Sequence, residues 1–402
     1  MVEGKVAGTF ADTDALMKDV TDVLEHNILP FWDRLRDPAG GFFGRITGDG
    51  TLVKDAPRGA VLNARILWTY SALYRRFRRK EHLMAAVQAK DYFVEHFMDH
   101  KYGGVYWSLD AKGKRLVDKA QLYAQSFGIY ALAEFYAATG DDEALKAAVN
   151  IYHIVERHFA DPVNGGYIEA LGRNFEPLKD MRLSEHDVNC QKTMNSHLHL
   201  LEGYATLYRI WPDPGLRERV AALLELIETR ITNPVTGHLE LYFDRDWTVV
   251  PGGISYGHDI ETSWLALECA MAVRGFDTVE RTRALARRLY AAGLEGLQPD
   301  GSLTYEVKAS GEADTARHWW VQAESVVGNL WAWKYLSEPE GFGRAVKAWE
   351  YISDHLVDRE GGDWWWSCDA SGAPDRSADK AGEWKCPYHN VRMCLQVIGI
   401  FD

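Results

Sequence analysis

"HNVRMCLQVIGIF", residues 389–401, reads as a helix that begins and then has no partner. Apolar residues recur along it at three- and four-residue spacing, the mark of an amphipathic helix. At the other end, "TDALMKDVTDVLEHNILPFWDRL", residues 13–35, reads as the second helix of a pair whose first is missing. Between them lie five complete pairs, among them "LNARILWTYSALYRRF" with "EHLMAAVQAKDYFVEHF" and "AESVVGNLWAWKYL" with "GRAVKAWEYISDHL". Acidic or turn residues separate the partners in each. An open array of helical pairs needs a polar cap at each end. Two leftover halves instead fit each other. The sequence therefore predicts an all-α, closed (α/α)6 barrel, a toroid of six inner and six outer helices, as a single domain over residues 1–402.

Short glycine-aromatic segments punctuate the pairs. They read "GGFFGRI" from 40, "GGVYWSL" from 103, "GGYIEAL" from 165, "TGHLELYF" from 236, "DGSLTYEV" from 300 and "GGDWWWS" from 361. Recurrence at a nearly fixed period marks a repeat architecture. Each segment sits between an outer helix and the next inner helix, where a short β-hairpin or extended loop is expected. The polar residues just beyond them then converge at one mouth of the ring, the natural pocket.

The bulk composition narrows the partners. A chain of 402 residues, 47% hydrophobic, buries a large core. Its formal charge of -13 argues against nucleic acid or an anionic membrane surface. The basic run "RRFRRK" at 75–80 reads as the solvated end of a helix. No apolar run approaches the roughly 20 residues that span a bilayer, and "MVEGKVAGTFADTDALMKDV" lacks the basic start and apolar stretch of a signal peptide. The cysteines number five, without a CxxC, so neither a disulfide framework nor a zinc site is indicated. A soluble cytoplasmic protein is expected, a monomer, with a homodimer as the alternative.

The inner-helix starts carry chemistry. In order they offer Arg65, Tyr123, Asn195 with His199, His258 with Glu261, Trp319 with Trp320 and Glu324, then Trp384, His389 and Arg392. A helix start built for structure alone favours Ser, Thr or Asp. His258 and Glu261 are three apart and share a helical face, so the carboxylate is expected to accept from the imidazole and fix its tautomer. His197 is two residues from His199 and points elsewhere, so "HLH" is not read as a metal pair. Indoles at a polar mouth suit stacking on a sugar ring. Histidines without a free acid pair suggest proton transfer at a carbon beside a carbonyl, whereas glycosidic cleavage needs two carboxyl groups.

The pieces "LNARILW", "KTMNSHLHLLEGY", "SYGHDIETSWL", "HWWVQAESVVG" and "WKCPYHNVRMCLQV" resemble the N-acylglucosamine 2-epimerase superfamily, most closely its cellobiose 2-epimerase branch. The resemblance runs from about residue 22 to the C-terminus, and it implies the same barrel. It also implies reversible C2 epimerisation of the reducing-end sugar of a β-1,4-linked disaccharide through a cis-enediolate. His258 and His389 would then be the two bases, Glu261 the orienter of His258, and Arg65 the oxyanion stabiliser. His199 would assist ring opening or hold the carbonyl oxygen. Tyr123, Asn195, Trp319, Trp320, Glu324, Trp384 and Arg392 would bind substrate, a disaccharide or a monosaccharide. No metal, nucleotide or nicotinamide is implied. Mannose 2-epimerisation and aldose–ketose isomerisation share this pattern and stand as alternatives. An N-acylglucosamine 2-epimerase, a glycoside hydrolase using Glu261 with Glu324, and a non-catalytic sugar binder follow behind. Val391 stands where the family pattern has glycine and Gln396 where it has glutamate; the bulk of Val391 is expected to bear on the pocket.

Overall fold

The structure, a computed structural model, describes residues 10–185 and 187–401. The start of the chain, on which the expectation about a signal peptide rests in part, lies outside the described residues.

Six inner helices form the ring: Ala60–Phe77, Leu122–Thr139, Met194–Ile210, Tyr256–Val273, Trp319–Tyr335 and Tyr388–Phe401. Each packs on the next, and Tyr388–Phe401 packs back on Ala60–Phe77. The outer helices Lys80–Tyr92, Asp142–Ile154, Pro214–Leu226, Phe276–Gly293 and Gly341–Tyr351 lie behind the first five. The sixth is Phe10–Val23, seated on the C-terminal helix Tyr388–Phe401. The two unpaired halves of the sequence are thus partners.

The inner helices are buried on nearly every face because they are covered on both sides, by outer helices and by one another across the ring axis. Trp264, Tyr70, Tyr204 and Tyr388 are among their fully buried side chains. The outer helices are amphipathic, and Asp141 and Asp213 cap two of them by accepting from the amides of Ala144 and Leu216. Four outer helices finish in a single widened π turn, for example Phe93–Phe97 and Ile352–Leu356, and the helix of Phe10–Val23 passes through one at Leu24–Ile28 before Leu29–Asp33.

The glycine-aromatic segments supply the reason for closure. In the second of them Gly103 and Gly104 have φ of 84° and 80°, backbone that a Cβ disfavours, and they turn the chain back on its outer helix. The strand that follows pairs with the strand launching the preceding inner helix. Arg58–Gly59 pairs with Ser108–Leu109, Ala120–Gln121 with Ala170–Leu171, Lys192–Thr193 with Tyr242–Phe243, and Arg317–His318 with Ser367–Cys368. Ile254–Ser255 pairs likewise with Glu306–Val307. The sixth pairing joins Ile46 to Ala381, with the Ile46 amide donating to the Ala381 carbonyl at 3.0 Å. Residues from the two ends of the chain therefore complete the same motif as every other repeat.

These pairings also satisfy backbone donors at the mouth, where only Thr193 of the four residues preceding these helices caps with its side chain, accepting from the Ser196 amide at 3.1 Å. The first amides of four inner helices, at Ala60, Leu122, Met194 and Trp319, donate to carbonyls of Trp107, Glu169, Leu241 and Trp366 on the adjoining hairpin. The other cap positions are freed for other side chains.

Candidate active site

The mouth holds a cavity of about 350 Å³, within the range of small-molecule sites. Arg65, Tyr123, Asn195, His199, His258, Glu261, Trp319, Trp320, Trp384 and His389 all line it. The inner-helix starts converge as expected.

Trp320 lies between the two candidate bases. Its ring is 4.7 Å from His258 and 5.6 Å from His389, centroid to centroid. It sits in the first turn of its helix. Gly257, immediately before His258, permits the close approach: a Cβ there would come within 2.7 Å of the indole.

The partners of the two imidazoles differ from expectation. His258 Nδ1 pairs with Ser255 Oγ at 2.7 Å, whereas Glu261 Oε1 accepts from Arg392 Nη2 at 2.6 Å. Glu261 is therefore not the hydrogen-bonding orienter of His258. Ser255, at the helix start three residues before His258, reaches the ring instead, while the Glu261 side chain turns down to the guanidinium. Through space Glu261 still favours the imidazolium, but burial outweighs it and lowers His258 to about 4.

Glu324 and Arg392 do not line the cavity. They lie deeper along their inner helices, beneath the floor. Glu324 Oε1 accepts from His389 Nδ1 and from Arg392 Nη2, each at 2.7 Å, and Oε2 accepts from Trp264 Nε1 at 3.0 Å. With both oxygens accepting, His389 carries its proton on Nδ1 and leaves Nε2 for the cavity. Arg392 Nη1 reaches Glu202 at 2.7 Å, and its guanidinium covers the rings of Trp264 and Tyr388. Arg392 thus binds three buried carboxylates and borders a second cavity, of about 440 Å³, enclosed by all six inner helices deeper along the ring axis. The expected substrate contacts of Glu324 and Arg392 are replaced by a positioning role.

Glu261, Glu324 and His389 place ligand-type atoms within 4.8 Å of one another. Arg392 Nη2 already bridges the two carboxylates, so the cluster is a charge-paired network. The same bridge removes Glu261 and Glu324 as a free acid pair.

Arg65 is the opposite case. It is buried, donates to Tyr123 OH at 2.9 Å and to Cys386 Sγ at 3.6 Å, and packs over Phe127. Among the described residues no carboxylate forms an ion pair with it. A desolvated cation of this kind is poised for an anion that forms in the cavity. Asn195 adds a buried amide oxygen without a partner, free for a donor on a ligand.

His197 turns away from the cavity, as expected. Its Nε2 accepts from the Tyr167 amide at 3.0 Å and its Nδ1 faces the Thr193 carbonyl at 2.7 Å. It ties helix to hairpin.

The family model described as N-acylglucosamine 2-epimerase (GlcNAc 2-epimerase) matches residues 41–393. The chain belongs to the N-acylglucosamine 2-epimerase family. Within this family it is 45% identical over 389 residues to a cellobiose 2-epimerase of Bacteroides fragilis, covering 96% of this chain and 99% of the relative. The solved structure of cellobiose 2-epimerase from Spirochaeta thermophila superposes with a TM-score of 0.93 at 37% identity, covering 98% of each chain. That from Bacillus thermoamylovorans gives 0.91 at 36% identity, covering 96% of this chain and 99% of the other.

The two departures from the family pattern fall away from the mouth. Val391 is fully buried in the core and does not line the cavity, so the expected effect of its bulk on the pocket is not realised there. Gln396 accepts from Trp331 Nε1 at 3.1 Å on the wall of the second cavity.

Sequence reasoning missed several residues. Ser255 was hidden because a serine at a helix start reads as a cap. Tyr305, His318 and Trp366 widen the aromatic wall; the Tyr305 and His318 rings stack at 3.8 Å. The loop residues Met181, Leu183, Asp187 and Val188 close one side of the cavity. A signal for that loop existed, since the stretch 165–194 is longer than its counterparts 103–122 and 236–256.

The depressed imidazoles set a pH dependence. Burial holds His389 well below the ordinary value of 6.5, as it does His258. A base must be neutral to accept a proton, and a lowered pKa keeps it neutral to lower pH. The rate of C2-proton wash-out in D2O is therefore expected to stay level as pH falls through 6.5 and to decline near 4. A half-loss centred at 6.5 would mean that the reacting imidazole is solvated.

Proposed function

We propose that the chain is an isomerase of the cellobiose 2-epimerase type, interconverting the C2 epimers of the reducing-end sugar of β-1,4-linked disaccharides such as cellobiose and lactose. The observation that carries this reading is two imidazoles flanking one indole beside a buried, carboxylate-free arginine.

The sugar opens to its aldehyde with C2 between His258 and His389. One imidazole takes the C2 proton through Nε2, and the electron pair moves to the carbonyl oxygen as the enediolate forms. Arg65, with Tyr123, meets that charge in a site where water does not screen it. Rotation about C2–C3 presents the other face, and the opposite imidazole, which enters the turnover protonated on Nε2, gives that proton to C2, while the first keeps the proton it took and exchanges it with solvent. In this role His258 donates Nδ1–H to Ser255 and His389 donates Nδ1–H to Glu324, which fixes both tautomers. Trp320 and Trp384 stack on the apolar faces of the sugar rings, with Trp319 beside them. No helix among the described residues is long and apolar enough to cross a membrane. Five free, buried cysteines support a cytoplasmic setting.

The test is incubation with cellobiose, lactose and mannose in D2O, followed by NMR. Deuterium at C2 of an epimerised disaccharide is expected. Label at C1 of a ketose would reassign the chain as an aldose–ketose isomerase, and glucose release would reassign it as a hydrolase.

A further inference from the structure

The second cavity, at the far end of the ring from the active site, takes no part in the C2 chemistry. Its walls come largely from the middle and C-terminal turns of the six inner helices. At about 440 Å³ it is larger than the active-site cavity of about 350 Å³. Arg75 and Arg76, which open the basic run of the sequence, stand exposed at its rim with Arg209. Two aromatic pairs line it: Trp68 stacks on Tyr130 at 5.3 Å, and Trp331 packs on Tyr335 at 4.7 Å. Glu202 and Arg392 close its inner end.

Three arginines of the wall are matched by carboxylates of the same wall. Arg75 Nε donates to Glu134 at 2.5 Å, Arg209 pairs with Glu268 at 3.4 Å, and Arg392 Nη1 donates to Glu202 at 2.7 Å. Such pairs offer donor and acceptor side by side, the two functions of a hydroxyl group, and ask no charge of a guest. Beside them are polar groups without a partner among the described residues. One is the hydroxyl of Tyr130, a residue only 6% exposed, and another is Gln396 Nε2, whose amide oxygen is taken by Trp331. Trp68 Nε1 and Arg392 Nε are buried and unpartnered as well. Buried polar groups are normally satisfied, so a cluster of exceptions around one cavity marks a place for an occupant. Gly399, on the same wall, leaves room for one: a Cβ there would meet no neighbouring element within 4 Å.

We propose that this cavity is a second, non-catalytic sugar site that takes a neutral mono- or disaccharide. The aromatic pairs meet the C–H surface of the sugar, while Tyr130, Gln396 and the arginine–glutamate pairs meet its hydroxyls. An anion would have to compete with Glu134 and Glu268 for guanidinium groups already paired. An apolar guest would leave the unpartnered donors unpartnered, at the full cost of their desolvation. The site adds to the epimerase reading and does not rest on it.

Indole N–H resonances report on the two cavities separately, because Trp68 and Trp331 line only the second and Trp320 and Trp384 only the first. Each resonance is assigned by replacing its tryptophan with phenylalanine. Cellobiose is titrated into wild type and Gly399→Trp, and C2 epimerisation of the same sugar is followed. In wild type the Trp68 and Trp331 signals should shift and saturate on a curve of their own, distinct from that of Trp320. Gly399→Trp, whose side chain fills the second cavity, should lose those shifts while keeping the Trp320 shift and the wild-type rate of epimerisation. Trp68 and Trp331 signals that stay still when Trp320 is saturated would overturn the proposal. So would shifts that follow the Trp320 curve and survive in Gly399→Trp, since they would be relayed from the active site through Arg392. Saturable shifts with inorganic phosphate and none with cellobiose would make this an anion site instead. If Gly399→Trp does not fold, Gly399→Leu takes its place with the same expected loss. The expected shifts in a wild type that epimerises no sugar would uphold the second site and refute the epimerase reading alone.

Discussion

With His389 replaced by asparagine, one of the two C2 epimers is expected to stop losing its proton to D2O while the other continues. Asparagine keeps an amide N–H near the position of Nδ1, so Glu324 retains its hydrogen bond and the network below stays intact. What is removed is Nε2. Positioned proton transfer contributes about 10²–10⁴-fold, and that loss should fall on wash-out from one epimer alone. Net epimerisation should fall by the same factor, because every turnover passes both imidazoles. His258→Asn should give the mirror result, sparing the epimer that His389→Asn disables. Affinity for the sugar should change little, since Trp320, Trp384 and Arg65 are untouched. Equal loss from both epimers in either variant would mean that one histidine serves both faces, and it would remove the two-base scheme.

Replacement of Arg392 by methionine is expected to damage stability more than any other single change at the site. Methionine follows the path of the arginine stem, yet it leaves Glu202, Glu261 and Glu324 buried around no cation. Removing one partner of a buried ion pair costs about 3–5 kcal/mol, and here one cation serves three carboxylates. The carboxylates would answer by binding protons. The deficit should therefore be largest at neutral pH and shrink as pH falls, a trend that denaturant titration at several pH values would reveal. A variant as stable as wild type at pH 7 would show that water or a bound cation replaces the guanidinium without cost. His389 would lose the fixed carboxylate beside it, so activity should fall even in the fraction that folds.

The ring was legible because its evidence is periodic: helical pairs, a recurrent glycine-aromatic turn, and unmatched halves at the ends. His258, His389, Arg65 and Tyr123 were legible as well, since each stands within the first two turns of its inner helix. What the sequence hid was depth and partnership. Glu324 and Arg392 were read as mouth residues although they lie below the floor, a difference of about one helical turn that spacing alone does not resolve. Glu261 was matched to His258 by the i,i+3 rule, but Arg392, remote in sequence, competes for the same carboxylate and wins as a full charge. Long-range choices of this kind depend on the closed ring.

The pairing of Ile46 with Ala381 gives the molecule a seam. Every other junction in the circle joins segments that follow one another in the chain, whereas this one joins its two ends and carries the largest loop-closure cost. Local opening of the ring should begin there and spread from both sides. His389 lies on the C-terminal helix, only eight residues past Ala381. Loss of catalysis should therefore precede loss of helical signal on heating, and ligand bound across His258 and His389 would act as a clasp that holds the circle shut.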